Sequence, residues 1–154
     1  MMHRNKILAS NEITTGYRIS YLANFLVGPI YKEIAKTLGV SRSEFVVVFC
    51  LHHLGTLTAQ DICAITGRPK NSISQAVGKL QRAGHVQRRT DPSDARRAPL
   101  VLTAKGRAMY ERVIPLFRVR EHKMLSVFSA RERKQFDRLL EKVVLRDDDW
   151  AQSY

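Results

Sequence analysis

The sequence has few acidic residues, few cysteines and no long hydrophobic run. Asp and Glu number 14 against 26 Lys and Arg. Two cysteines, Cys50 and Cys63, fit a reducing compartment better than a disulfide framework. No window approaches the roughly 18 apolar residues that span a membrane, and the apolar run at residues 7–9 is too short for a signal peptide. We therefore expect a cytoplasmic protein with no membrane partner.

Signatures of catalysis are absent too. There is no Ser-His-Asp spacing, no Gly-rich phosphate loop and no paired carboxylate cluster, so we predict no catalytic residue and no enzyme. Cys50, His52 and His53 come nearest to a metal site, but Cys50 and His52 lie on different faces of a predicted helix. We therefore predict no metal and no cofactor, and we interpret Cys50 and Cys63 as buried, inert thiols.

The chain instead has enough hydrophobic residues for a core and a strong positive charge. Its 154 residues are 44% hydrophobic, without internal repeats or Gly/Ser linkers, which suits one domain of ordinary size. The formal net charge is +12 and the pI is near 10.2. Such a field attracts polyanions, either nucleic acid or an anionic membrane surface, and charge alone does not choose between them. Double-stranded DNA is the partner that the motifs below favour.

Capping boxes and apolar spacing predict most of the helices. The boxes, each a hydroxyl residue followed three positions later by an acid, are Ser41 with Glu44, Thr58 with Asp61, and Ser129 with Glu132. A long helix over 12–38 is predicted upstream, kinked or interrupted at Gly28-Pro29, and helices over 104–145 are predicted downstream, the first bent by Pro115.

Two short helices and a hairpin are predicted between these long helices. Residues 42–54 form a helix, followed by Thr58–Ile65 with Ile62 and Ile65 turned inward. A further helix has Ile73, Ala76, Val77 and Leu80 at i, i+3, i+4 and i+7. The last two meet near Gly67 as a helix-turn-helix. Residues 85–89 and 100–103 read as two strands joined by a turn-rich segment.

The segment from Arg68 to Arg97 has the composition of a DNA-binding surface. It holds eight basic residues against two acids. The residues that point away from the apolar face of its helix are small, polar or basic, which suits a helix in the major groove: Asn71, Ser72, Ser74, Gln75, Gly78, Lys79 and Arg82. The hairpin adds Arg88, Arg96 and Arg97, and an arginine at its tip suits a narrow minor groove.

The wide apolar stripes at both ends of the chain predict a partner subunit. Tyr17, Tyr21 and Phe25 step by four in the first long helix. Leu139, Leu140 and Val143 form a similar stripe in the last. One small lobe cannot cover both, so we expect a homodimer.

With these elements in order, the chain resembles the MarR (multiple antibiotic resistance regulator) family of winged-helix transcription factors. "SISQAVGKLQRAGHVQRR" is similar to that family's recognition helix and first wing strand. In "DPSDARRAPLVLTAKG", Asp94 and Arg96 match the family's Asp-x-Arg, and "LTAKG" matches its Leu-Thr-x-x-Gly. The resemblance spans about residues 12–145.

The resemblance implies a fold and a set of site residues. The fold is mainly α with a small β-hairpin wing, in a single domain, 1–154. A winged helix-turn-helix lobe at 42–103 is flanked by dimerisation helices at 12–38 and 104–145. By resemblance Ser74 and Gln75 face bases, Arg96 is the wing arginine and Asp94 stabilises the wing. The full expected DNA-binding set is Lys70, Asn71, Ser72, Ser74, Gln75, Lys79, Arg88, Arg96 and Arg97.

Some residues depart from the family pattern. Gln75 stands where family members often have Arg, so the preferred bases differ, and Gln suits adenine. Gly78 replaces a commonly acidic or polar residue, while Pro29 and Pro99 alter the dimer helix and the wing.

Three functions fit the sequence, and we take the first as our expectation. It is a sequence-specific regulator, a repressor that binds a pseudo-palindromic operator as a homodimer and is relieved by a small aromatic or phenolic effector. The alternative is a non-specific architectural DNA-binding protein. The third is a winged-helix protein-interaction module, which the basic helix disfavours. The sequence identifies no effector site; we interpret Tyr31, His52 and His53 as packing positions.

Overall fold

A computed structural model describes residues 2–89 and 99–146. Across these residues the elements follow in the order α1 (Met2–Ala9), α2 (Thr14–Leu38), α3 (Arg42–Leu54), α4 (Ala59–Thr66), α5 (Lys70–Arg82), β1 (Val86–Arg88), β2 (Leu100–Leu102), α6 (Ala104–Leu125) and α7 (Ala130–Val144). The fold is mainly α with one two-stranded hairpin, as predicted.

The chain divides into two compact units, Met1–Phe117 and Arg118–Tyr154. The first unit has one hydrophobic core that joins the second half of α2 to α3, α4, α5, the hairpin and the start of α6. Its fully buried side chains include Ile34, Val47, Val48, Ile62, Ile73, Leu80, Leu100 and Val113. This core is what holds the helix-turn-helix and the hairpin in place.

Helix α2 runs without interruption through Pro29, so the predicted interruption at Gly28-Pro29 is wrong, while the alternative, a kink at this point, stays a prediction. Packing explains the continuity, because Ile30 and Ile34, just after the proline, are buried in the core. The half of α2 before Pro29 buries no side chain within this subunit. Its Phe25 is 57% exposed, although the ring stacks on Tyr21.

Helix α1 is an element that the sequence did not predict. It carries no capping box and no apolar stripe, so neither signal was available. Asn11 joins it to α2: its amide nitrogen donates to the Ile7 carbonyl, and its amide oxygen accepts from the Ile13 N–H at 2.8 Å. Arg18 adds a hydrogen bond from Nε to the Leu8 carbonyl.

The three predicted capping boxes are confirmed, with both hydrogen bonds present in each. The inward face of α5 is also confirmed, since Ile73, Ala76, Val77 and Leu80 are all buried. In α4 the prediction is half right. Ile62 is fully buried, but Ile65 is 53% exposed.

The predicted hairpin is confirmed as an antiparallel pair, with Val86 opposite Leu102 and Arg88 opposite Leu100. Leu57 extends the pairing by exchanging two backbone hydrogen bonds with Leu100. Because Leu57 precedes the helix-turn-helix in the chain, this bridge fixes the first residue of β2 to the lobe.

A tight junction connects the hairpin to α6. The Thr103 hydroxyl donates to the Gly84 carbonyl at 2.7 Å and accepts from the Gly106 N–H at 3.1 Å, so it caps α6. A Cβ on Gly106 would overlap the His85 carbonyl oxygen and lie 2.9 Å from Leu102 Cδ2. Only glycine fits here, which gives the Leu-Thr-x-x-Gly pattern a steric cause.

The second unit contains the end of α6 and all of α7. The rings of Phe128 and Phe136 lie 5.3 Å apart, and Leu125 is buried. Helix α7 buries none of its residues within this subunit. Leu139, Leu140 and Val143 are each about half exposed, at 50%, 43% and 52%.

We predict that Gly106→Ala lowers the free energy of unfolding by about 1–3 kcal/mol, because its methyl group has no room. Urea denaturation followed by circular dichroism measures this. Gly78→Ala is the matched control, since its Cβ would meet only Arg82 Nη1 at 3.6 Å. It should raise helix stability by up to about 1 kcal/mol. Equal effects of the two substitutions would contradict the steric argument.

Candidate nucleic-acid interface

Helix α5 turns one polar face to solvent. Its inner face is buried in the lobe, so the rotation of the helix about its axis is fixed and the remaining side chains point outward. Lys70, Asn71, Ser74, Gln75 and Lys79 are all exposed. The helix contains no Asp or Glu, so nothing on this face repels a phosphate.

Gly78 lies at the centre of that face. Steps of 100° per residue place Asn71, Gln75 and Arg82 around it, opposite the buried side chains. Because Gly78 has no side chain, the helix backbone can approach a surface closely at this point. Gln75 then projects beside a flat patch, a suitable position for reaching a base edge.

Ser72 has a different environment from its predicted neighbours. It is half-buried, and its Oγ lies 2.7 Å from Ser43 Oγ in the first turn of α3. The sequence predicted a DNA-facing hydroxyl here, but this group links α5 to α3. A contact across 29 residues of chain cannot be read from local spacing.

Two arginines stand at the same end of the lobe, and the predicted site did not include them. Arg68 Nη1 donates to Ser43 Oγ at 3.4 Å, and the Arg42 guanidinium lies 5.1 Å from the centre of the Tyr31 ring. Burial raises the pKa of Tyr31, and the positive charges of Arg42 and Arg68 oppose that rise. The density of basic residues was the only sequence signal for this pair.

The start of α5 lacks a side-chain cap. Its N-cap residue is Pro69, which provides no hydrogen-bonding side chain, whereas α3 and α4 both begin with a complete capping box. The first-turn N–H groups of α5 therefore keep their capacity to bind an anion, and the helix dipole adds positive potential there. With Arg42, Arg68 and Lys70 nearby, this end of the lobe is suited to a phosphate.

The hairpin adds further cations to those of α5. Arg88 and Arg89 are both exposed, and Arg88 Nε makes a long 3.4 Å hydrogen bond to Gln81 on α5. The tip of the wing, with the predicted Asp94, Arg96 and Arg97, falls in residues 90–98, outside the described residues.

The side chains that we weighed as metal or redox groups are packed among neighbours. The His52 ring stacks on Tyr110 with centroids 3.6 Å apart, and His53 Nε2 lies 3.0 Å from the Tyr110 hydroxyl. Cys50 is buried, and burial raises the pKa of its thiol; Cys63 is only half-buried, contrary to prediction. Within residues 2–89 and 99–146, no three His, Cys, Asp or Glu side chains come together as a metal site.

No helix among the described residues has the length and apolar character needed to cross a membrane. The exposed cations of the lobe include Lys70 and Lys79 of α5 and Arg88 of β1. Its polar side chains, small residues and cations match what a duplex presents, namely base edges between two rows of phosphates.

Relatives of this chain include transcriptional regulators. The sequence pattern of the MarR family matches residues 38–97. The HTH-type transcriptional repressor Rv2887 of Mycobacterium tuberculosis is 26% identical over 134 residues, covering 87% of this chain and 96% of that protein. The HTH-type transcriptional regulator BilQ of Clostridium symbiosum is 32% identical over 105 residues, covering 68% of this chain and 73% of that protein.

Solved structures agree with the sequence relatives. A MarR family transcriptional regulator from Silicibacter pomeroyi superimposes with a TM-score of 0.72 and 25% identity, over 83% of this chain and 88% of that one. Rv2887, solved in complex with p-aminosalicylic acid, gives a TM-score of 0.67 and 26% identity, over 83% and 96%. The chain belongs to the MarR family of winged-helix transcriptional regulators, and it is a DNA-binding regulator.

Proposed function

We propose that this protein is a transcriptional repressor that binds a pseudo-palindromic operator as a homodimer. Each subunit presents α5 to a major groove and its wing to the adjacent minor groove. A two-fold axis would place the two recognition helices one turn of DNA apart, about 34 Å. A small aromatic or phenolic acid relieves repression, and the protein works in the cytoplasm.

The acid-free outer face of α5 is the observation that carries the proposal. Ser74 and Gln75 supply hydrogen-bonding groups of the kind that read bases, and Lys79 supplies charge at the edge of the same face. A helix that is merely solvated has no need to exclude acids, whereas a helix that lies between phosphates does. Arg88 and Arg89 extend the positive surface along the wing.

The exposed apolar faces support a homodimer. Ile19, Leu22 and Phe25 of α2 are 52%, 41% and 57% exposed, and α7 presents a second stripe of half-exposed aliphatic residues. Monomeric proteins rarely expose apolar surface of this extent to solvent, so we infer that another molecule covers it. A second copy of the chain, joined through both helices, covers it symmetrically.

Support for the proposed effector comes from a relative. Rv2887 was solved with p-aminosalicylic acid, an aromatic carboxylate. Tyr31, His52 and His53 lie in the region between the lobe and the long helices. Their rings are occupied by packing against Phe117 and Tyr110, so we assign none of them to the effector.

A non-specific architectural role is the competing function, since the net charge of +12 alone would support it. Binding of the purified protein to fragments of its own genome, followed by footprinting, identifies the operator. The affinity for that operator should exceed the affinity for random duplex by ~10³ or more at physiological salt. Equal competition by random DNA would leave only the architectural role.

We predict that Gln75→Ala relaxes base preference, because the substitution removes base-edge contacts and leaves phosphate contacts in place. Selection from a random duplex library should return a consensus that is degenerate at the base pair Gln75 reads. Lys79→Ala is the contrasting variant and should weaken operator and random duplex equally. An unchanged consensus for Gln75→Ala would remove this residue from the site.

We predict that Arg96→Ala weakens operator binding by roughly 1–3 kcal/mol and reduces the salt slope by about one. The reason is the loss of one wing cation from the minor groove. Fluorescence anisotropy across a salt series measures both quantities. Arg131→Ala, which removes an equal charge from exposed α7, is the control and should change neither. An affinity equal to wild type would contradict the wing assignment.

We predict that the double substitution Leu140→Glu with Val143→Glu converts the dimer to a monomer, because two carboxylates in an apolar interface cannot be solvated. Sedimentation velocity gives the mass, and circular dichroism confirms that the helices persist. Lys134→Gln, on the opposite side of α7 by the 100° step, should remain dimeric. A dimer that survives the double substitution would exclude this face as the interface.

A further inference from the structure

A cluster of three polar side chains joins α3 to the turn of the helix-turn-helix and to α5. Ser43 Oγ lies 2.7 Å from Ser72 Oγ, and it accepts a hydrogen bond from Arg68 Nη1 at 3.4 Å. All three side chains are half-buried. Ser43 is separated in the chain from Arg68 by 25 residues and from Ser72 by 29. We call these three residues the Ser43 cluster.

Ser43 lies on a well-fixed part of the lobe. It is the second residue of α3, and a complete capping box, in which the Glu44 carboxylate accepts the Ser41 N–H, fixes the start of that helix. Phe45, two positions after Ser43, is 2% exposed and belongs to the core. The Ser43 hydroxyl is therefore an acceptor at a defined position, against which a longer side chain can be held.

The backbone of Arg68 is restricted on both sides. Gly67 before it has a φ of 62°, in the left-handed region that favours glycine. Pro69 after it disfavours helical backbone angles at Arg68 and so favours an extended conformation. With its backbone restricted and its guanidinium bonded to Ser43, Arg68 has little freedom left to lose when it binds a ligand.

The guanidinium of Arg68 has hydrogen-bonding capacity to spare. It carries five N–H donors, and within the described part of the chain its bond to Ser43 is long and no carboxylate pairs with it. Burial raises the pKa of Tyr31, and the charges of Arg42 and Arg68 both oppose this rise, so both guanidinium groups lie near the Tyr31 hydroxyl. Two cations placed in this way repel each other, and an anion bound beside them would relieve the repulsion.

The place of Arg68 in the chain favours a phosphate of the DNA backbone as that anion. Arg68 comes two positions before Lys70, the first residue of α5. A helix that enters the major groove lies between two rows of phosphates, so a side chain just ahead of the helix is close to one row. Lys70 is exposed and adds a second cation there. A guanidinium makes charge-assisted hydrogen bonds to phosphate oxygens, often two at once.

Ser72 connects this arrangement to the residues proposed to read bases. It lies in the first turn of α5, two positions before Ser74 and three before Gln75. Because the Ser43 hydroxyl contacts both Ser72 and Arg68, one group fixes the distance between the guanidinium and the helix that carries Ser74 and Gln75.

We propose that Arg68 contacts a phosphate of bound DNA, and that Ser43 is the positioning residue that holds Arg68 for this contact. Ser43 itself touches no DNA in this arrangement and acts through Arg68. The inference rests on the proposed function in one respect, since it takes α5 as the helix that meets the duplex.

The phosphate contact is tested by fluorescence anisotropy of the full-length protein with a labelled duplex across a salt series. Arg68→Gln should raise the Kd for operator and for random duplex alike, by about ten-fold, and should reduce the salt slope by about one. Arg131→Gln, which removes an equal charge from exposed α7, is the control and should change neither quantity. A salt slope unchanged in Arg68→Gln would overturn the contact.

The positioning role is tested by a double-mutant cycle. Ser43→Ala removes no charge, yet it should raise the Kd by about three-fold or more and reduce the salt slope. In the Arg68→Gln background the same substitution should add nothing, because Ser43 acts through Arg68. Ser43→Thr, which keeps the hydroxyl, should restore the wild-type Kd. Additive effects in the cycle, or a lower Tm of Ser43→Ala with Kd and slope unchanged, would overturn the role of Ser43.

Lys79→Ala separates this inference from the proposed function, since Lys79 lies on the exposed face of α5 but outside the Ser43 cluster. DNA binding unchanged in both Lys79→Ala and Gln75→Ala would contradict α5 as the helix that meets DNA, and with it the proposed function. Weaker binding in Lys79→Ala, with no change in Arg68→Gln, would overturn the contact of Arg68 alone.

Discussion

The burial of one face of α5 is the constraint on which the rest of the structure depends. Ile73 and Leu80, two turns apart, are 0% and 2% exposed, so the helix can neither rotate nor tilt without opening the core. The polar side chains on the opposite face of α5 must therefore point to solvent. Recognition of DNA needs side chains held at fixed positions, and here the hydrophobic core supplies most of that precision, together with the hydrogen bond between Ser72 of α5 and Ser43 of α3.

The wing and the long helix α6 are also fixed to the helix-turn-helix, but by hydrogen bonds instead of a buried helix face. Leu57 pairs with Leu100, and Thr103 binds the carbonyl oxygens of Gly84 and His85, so both ends of β2 are joined to the helix-turn-helix. Gly106 makes this junction possible because it leaves room for the His85 carbonyl. The junction also places Lys105 against the end of α5. The start of α6 is therefore hydrogen-bonded to Ala83, the residue that directly follows the recognition helix.

Short-range patterns in the sequence predicted most helices and the hairpin of the lobe. They failed where contacts between residues far apart in the chain determine the structure. The capping boxes and the inner face of α5 each lie within eleven residues, so spacing alone predicted them. Continuity through Pro29 depends on burial of Ile30 and Ile34 by other elements, which no local rule contains. The contacts of Ser43 with Ser72 and with Arg68 join segments far apart in the chain, so they required the fold.

Exposed cations and exposed apolar side chains lie in different parts of the chain. The lobe concentrates cations where the core already fixes the geometry, so each charge acts at a defined place on a polyanion. The first half of α2 and the whole of α7 differ from the lobe. Their apolar side chains are exposed, and neither segment buries a side chain in the core of the chain. In the proposed homodimer, two lobes would be held at a set spacing to fit two half-sites, and the interface between subunits would set that spacing. On this proposal the exposed apolar residues of α2 and α7 fix the distance between the lobes, and the cations of the lobes contact the DNA.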